Sequence, residues 1–274
     1  MTASRKDLIL GGMLLLNHWH ALPGDFPEDE LLSVHSVDKT IPVSGSGVKL
    51  FPAAITALGD MLAGAKAAGY ENYLIDEAYR TMATQTEYYE KEAAKYNTKY
   101  SGDALIEKVR QNTNYPGTSE YQSGFSFRID RYEKGNAEFN NEKFYKTGHS
   151  DWLVENSWRY GFVFRFPVQG YPNASVNDKS YKTGESKSLS IYRYVGRANA
   201  AVMHEMDFCM EEYIEYLMQH DHIGLYENGV LKYEVLRMAG GNTAGDVTVE
   251  VSSGARNYTV STDNMGGIIV SMEY

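Results

Sequence analysis

The side chains here that could do chemistry near neutral pH are seven histidines, one cysteine and an arginine at the mouth of a buried run. The histidines stand at 18, 20, 35, 149, 204, 220 and 222, and the pairs His18/His20 and His220/His222 have a spacing that can chelate a cation. Their flanks read as loop or helix end, so ordinary surface histidines are the expectation at both places. Cys209 sits in MDFCMEEYIEYL, an amphipathic helical pattern, which makes its thiol a packing group and not a nucleophile. Arg80 follows Tyr79 at the end of YLIDEAYRT. A planar guanidinium there suits bidentate pairing with a carboxylate, either a ligand's or that of Asp76 or Glu77. The sequence contains no phosphate-binding loop, no dinucleotide fingerprint and no Gly-x-Ser-x-Gly elbow.

The elements that position these groups belong to a chain of 274 residues, 43% apolar and 23% charged, as in a soluble protein with an ordinary core. A net charge of −10 argues against nucleic acid as partner. The single cysteine excludes an intrachain disulfide and fits the cytosol and the exported proteins that lack disulfides alike. Twenty-two tyrosines suit either a half-buried rim around the core or a cleft that holds polar ligands against rings. No apolar run reaches the roughly 18 to 20 residues that cross a bilayer. Leu8 to Leu16 reads as a first buried segment without a cleavage site after it, so the chain is expected to carry no export signal.

Residues 17–50 read as mostly irregular. Ile55, Leu58, Leu62 and Ala65 share one face of a helix that starts at Pro52 and ends at Gly69. YLIDEAYRT is then a buried strand, 82–97 a charged helix and 103–112 a second helix capped by Asp103. Trp152, Leu153, Asn156 and Tyr160 mark another helix, closed by Gly161 before the strand FVFRF. LSIYRYVG is a strand, and 197–220 reads as one long helix. Beyond residue 224 the pattern changes to short alternating runs, LKYEVLRM, DVTVEV, NYTVS and GGIIVSM, between glycine and asparagine turns. The expected organisation is an N-terminal segment 1–50 packed on a domain 51–223, followed by a small β-rich domain 224–274.

Six pieces in order, EAYRT with Gln85, PGTSEYQSGFSFR, WLVENSWRYGFVFRFP, a Lys then Thr-Gly, and IYRYVG, resemble the zinc D-alanyl-D-alanine carboxypeptidases of the VanY type over about residues 10–220. The resemblance implies a zinc held by Ser-x-His-x-x-Gly-x-Ala-x-Asp and by the histidine of Glu-Pro-Trp-His-Tyr-Arg-Tyr-Val-Gly, with that glutamate as general base. Such a site needs three protein ligands and an open position for water. Ser119 and Gly124 match the first motif and Ser126 is a mild change, but Tyr121 takes the histidine position and Arg128 that of the aspartate. In the second motif Tyr192, Arg193, Tyr194, Val195 and Gly196 match, whereas Ile191 replaces the histidine, Ser188 the glutamate and Ser190 the tryptophan. Asp130, two residues beyond Arg128, lies roughly 6.5 Å too far along a strand to take over. What the resemblance leaves is a recognition apparatus. Arg80 with Tyr79 matches a Tyr-Arg that addresses the peptide's terminal carboxylate, Gln85 and Ser119 match polar cleft positions, and Arg193 is expected to serve the scaffold.

The expected fold is α+β, a D,D-carboxypeptidase-like antiparallel sheet flanked by helices with a β-rich addition at the C-terminus. The leading functional expectation is a zinc-free pseudoenzyme that binds peptide termini, such as peptidoglycan stem peptides, at a bacterial cell envelope. A structural or protein-interaction module on the same fold is the alternative, followed by an active peptidase with a relocated metal site.

Overall fold

Alternation builds the central sheet, because Ile75, Phe127, Ile129, Phe162 and Tyr192 all turn to one side and into one core. The computed structural model describes residues 1–274. Strands β1 (Tyr73–Glu77), β2 (Ser126–Arg131), β3 (Phe162–Phe164) and β4 (Ile191–Tyr194) lie in the order β1-β2-β4-β3, every pair antiparallel. The covered face packs on a helix, Pro52–Ala67, through Ala54, Ile55, Leu58, Met61 and Ala65. Pro52 occupies its first turn, where a missing N–H costs nothing. The opposite face carries Asp76, Arg128, Ile191 and Arg193, and the candidate site lies there.

The remaining longer helices follow the sequence reading with two corrections, and one expected strand is shortened. Met82–Ala93 and Gly102–Arg110 form a hairpin beside the cleft, and Gly148–Asn156 leads through a tight turn to Gly161 in the left-handed region at φ 86°. The cap of the second hairpin helix is at Ser101, and Asp103 lies inside the first turn, where it complements the helix dipole. The expected long helix 197–220 is two helices, Arg197–Glu205 and Met210–Gln219. Asp207 between them has φ 51°, and the backbone N–H of Cys209 donates to Glu212 at 3.1 Å, so a new helix starts there. The expected strand DVTVEV shrinks to Val247–Thr248, which pairs with Thr2–Ala3.

A second antiparallel sheet begins at His222. Strands β5 (His222–Glu227), β6 (Val230–Ala239), β7 (Asn257–Thr262) and β8 (Gly267–Glu273) lie in the order β7-β8-β6-β5. Val235 and Ile269 share a core with Met13, Leu15 and the 197–219 helices, while Val260 and Ile268 share another with Ala3 and Leu8. Both chain ends thus clamp the same sheet. Gly11 makes the closest approach, since a β-carbon there would lie 2.1 Å from the Val260 carbonyl oxygen. Gly11→Ala should therefore cost about 1–3 kcal/mol in urea unfolding, the usual penalty of forced overpacking. A change below about 0.5 kcal/mol would mean that the two ends are not so tightly apposed.

Candidate functional site

The site is built on the face of the central sheet opposite the Pro52–Ala67 helix. The segment ahead of β2 makes a single helical turn, Glu120–Gln122, and passes Gly124 at φ 73°, where a β-carbon would strike Phe51 at 2.4 Å. That turn sets Ser119, Glu120 and Tyr121 over the sheet. A bulge between Ile75 and Glu77 in β1 lets both Asp76 and Glu77 face Arg128. The result is a cleft of about 210 Å³ lined by Arg80, Ser119, Tyr121, Arg128, Lys187 and Ile191 among others. A larger cavity of about 520 Å³ lies at the other end of β1, by Tyr70, Tyr73 and Tyr132, and holds none of the candidate residues.

Arg128 pairs within the protein along one edge of its guanidinium. Its Nε lies 2.8 and 2.9 Å from the two Asp76 oxygens and its Nη2 2.7 Å from Oδ2, while Nη1 is 3.8 Å from Glu77 Oε2. The hydrogen bonds to Asp76 hold its pKa above the ordinary arginine value against the opposing effect of burial. Arg80 donates from Nε to Glu77 Oε1 at 2.6 Å and from Nη1 to Gln85 Oε1 at 3.2 Å. Its guanidinium lies 4.0 Å from the Tyr121 ring centroid and 4.9 Å from that of Tyr88. Burial, reinforced by the Glu77 carboxylate, pushes the Tyr121 phenol well up, so it is a neutral O–H donor at physiological pH.

The other sequence candidates divide. Gln85 is buried and acts by orienting Arg80, with its amide donating to the Asn114 carbonyl at 2.8 Å. Ser119 is in the cleft. Tyr79 is outside it, stacked on Phe26 with its pKa raised by burial and by Glu28. Ser188 is exposed between the lining residues Lys187 and Leu189. Asp130 accepts from the Arg131 backbone N–H at 2.8 Å and does not line the cleft. His18 packs at a tilt against Trp19 and His20 contacts Asn17, while His220 stacks on Tyr216 and His222 contacts Glu234. No group of three or more histidine, cysteine, aspartate or glutamate side chains converges to hold a metal.

Sequence reasoning assigned Arg193 to the scaffold but missed the buried network it joins, which reaches the cleft at Glu120. Glu120, Arg165, Arg193 and Glu211 are all buried and form one chain of ion pairs. Glu120 accepts from Arg193 Nη1 at 2.6 Å, Arg165 Nε at 2.8 Å and the Ser126 hydroxyl at 2.5 Å. Arg165 continues to Glu211 at 2.7 and 3.0 Å, and Arg193 donates to the carbonyls of Gly12 and Leu14. Burial pushes the Glu120 carboxyl up, but Arg193 and Arg165 outweigh it and keep the group below its ordinary range. The available signal was an arginine interrupting each of two apolar strand runs, FVFRF and IYRYV.

Cys209 is only 2% exposed, and burial pushes its thiol up to about 12. Its thiolate fraction at pH 8 is therefore lower by roughly a thousandfold than that of a free cysteine. Labelling of the native protein with iodoacetamide should be correspondingly slow and should recover in urea. Native-state labelling at the free-thiol rate would contradict the burial.

Residues 47–181 match the family model described as VanY: D-alanyl-D-alanine carboxypeptidase. They belong to that family. A D-alanyl-D-alanine carboxypeptidase of Enterococcus faecium is 25% identical over 274 residues, covering 99% of this chain and 78% of the relative. The vancomycin-resistance D,D-dipeptidase VanXYg, solved with a D-Ala-D-Ala phosphinate analog, superposes with a TM-score of 0.73 at 18% identity, over 100% of this chain and 98% of that one. VanYB in complex with D-alanine-D-alanine gives a TM-score of 0.55 at 28% identity over 74% and 97%. The α+β, D,D-carboxypeptidase-like fold expected from the sequence is thus the observed one. Zinc, which the VanY resemblance implies, does not fit the side chains present. At the three implied ligand positions this chain has a neutral phenol, an apolar Ile191 and a guanidinium already paired with Asp76. A fixed cation beside that position repels a second one.

Proposed function

We propose that this VanY-type chain is a zinc-free binding protein for peptide termini, peptidoglycan stem peptides being the favoured class, and that it works outside the cytoplasm. The observation that carries the reading is the pairing of Arg128 with Asp76 in the same cleft that keeps Arg80 oriented by Glu77 and Gln85. Metal-assisted hydrolysis needs an open coordination position on a held ion, and these donors supply none. Recognition of a carboxylate needs only an oriented guanidinium, which Arg80 provides. The likeness to VanYB, solved with D-alanine-D-alanine, supports the ligand class, and family membership supports an envelope location. No helix is long and apolar enough to cross a membrane.

The test follows heat of binding and release of D-alanine together, with a peptide ending in D-Ala-D-Ala, in chelator-treated buffer and then with added zinc. Binding that is independent of zinc and without turnover is the expected result. Zinc-dependent release would overturn the reading. No binding in either buffer would also overturn it and would favour an interaction module, for which the exposed Tyr226, Val230 and Tyr258 of the second sheet are the candidate surface.

A further inference from the structure

The cleft gathers three cations in a protein whose net charge is −10: Arg80, Arg128 and Lys187. Of the acids that line it, Glu120 is deeply buried and fully engaged by Arg165 and Arg193, and Glu185 accepts from the Lys187 backbone N–H. Arg80 and Arg128 reach opposite oxygens of the same carboxylate, at 2.6 Å on Glu77 Oε1 and 3.8 Å on Oε2. The two guanidiniums are therefore spaced by one carboxylate. Each keeps N–H groups without a hydrogen bond inside the protein, Nη2 of Arg80 and Nη1 of Arg128. Lys187 makes no ion pair, since only its backbone N–H is used, toward Glu185.

A further group points to a ligand. Tyr121 is 7% exposed and lines the cleft, and its hydroxyl, which makes no hydrogen bond inside the protein, is open to the cleft. A hydroxyl so placed can donate to an acceptor that enters the cleft. The Ser119 hydroxyl is in the same position. A terminus ending in alanine offers one carboxylate, which Arg80 alone can take. The donors around Arg128 would then face an amide carbonyl at best, a poorer match for a guanidinium than a second carboxylate.

We propose that Tyr121, Arg128 and Lys187 form a second anion subsite beside Arg80, and that the preferred ligand is a peptide whose last residue is acidic, with its α-carboxylate on Arg80 and its side-chain carboxylate in the second subsite. This rests on the reading of the cleft as a site for peptide termini and names the terminus it selects. Nothing is hydrolysed, and no co-reactant is required.

The experiment is calorimetric titration of the full chain, in chelator-treated buffer, with two peptides that differ only at the last residue, D-alanine or D-glutamate. The acidic terminus should bind about ten- to a hundredfold tighter, the usual effect of an added charge-assisted contact. Arg128→Gln should bring that ratio close to one, Lys187→Gln should lower it, and Tyr121→Phe, which removes only the hydroxyl, should lower it by several-fold. Lys187 is on a loop, so its variant keeps the test open if Arg128→Gln does not fold. A wild-type ratio of one or less, with the alanine peptide still bound, overturns this inference alone. A preference undiminished in folded Arg128→Gln or Lys187→Gln protein also overturns it. Silence from both peptides overturns it together with the reading on which it rests.

Discussion

Glu120→Gln should lower the unfolding free energy at pH 7 by about 3–5 kcal/mol, the cost of breaking a buried ion pair from one side. The substitution keeps shape and removes one charge. Arg165, at 1% exposure, then keeps Glu211, whereas Arg193, at 0%, loses its one ion-pair partner. Glutamine's amide oxygen can keep the two bonds that Oε1 accepts from Arg193 and Ser126, but its amide nitrogen cannot accept from Arg165, and it returns no charge. The damage should spread, because Arg193 holds the carbonyls of Gly12 and Leu14 and so ties the N-terminal segment to β4. The pH dependence has a definite sign. Glu120 is held below its ordinary value of 4.5 in the folded protein, so its contribution is present above about that pH and is lost as pH falls through the lowered value. The gap between wild type and variant should accordingly narrow in acid. Urea unfolding at pH 7 and near pH 3 measures both, and a gap under about 1 kcal/mol at pH 7, or one that widens in acid, would contradict the network.

What was legible in the sequence is what local pattern can encode. The order of the VanY-type pieces gave the fold, and period two put Phe127 and Ile129 on one face of β2 and Arg128 on the other. Pairing across long separations was not legible. Glu120 lies 45 residues from Arg165 and 73 from Arg193, and nothing near it marks a buried acid. Tyr79 reads as a cleft residue beside Arg80, yet consecutive residues leave a strand end in different directions, and Phe26 captures its ring. The break at Asp207 has no glycine or proline to announce it and depends on the packing of both helices against β6 and β8. Site chemistry was read from residue types at Tyr121, Arg128 and Ile191, while the state of those residues, a neutral phenol and a paired guanidinium, needed their neighbours.

Arg80→Ala should weaken binding of a peptide carboxylate by roughly 10- to 150-fold, the range for a lost hydrogen bond to a charged group, about 1.5–3 kcal/mol. The argument is preorganisation. Glu77 and Gln85 fix the fork from one edge, and the rings of Tyr121 and Tyr88 hold its plane, so the guanidinium gives up little freedom on binding. Stability should change far less than affinity. The Glu77 carboxylate left behind is partly solvated and still has Arg128 at 3.8 Å, so no buried charge is orphaned. Arg80→Lys separates charge from geometry, since an ammonium cannot span Glu77 and Gln85 while presenting a second edge to the ligand. It should recover only part of the affinity. Full recovery by lysine would mean that net charge alone attracts the peptide, and an Arg80→Ala protein with undiminished affinity would mean that Arg80 merely neutralises Glu77. Heat of binding, with the melting temperature of each variant as control, distinguishes the three outcomes.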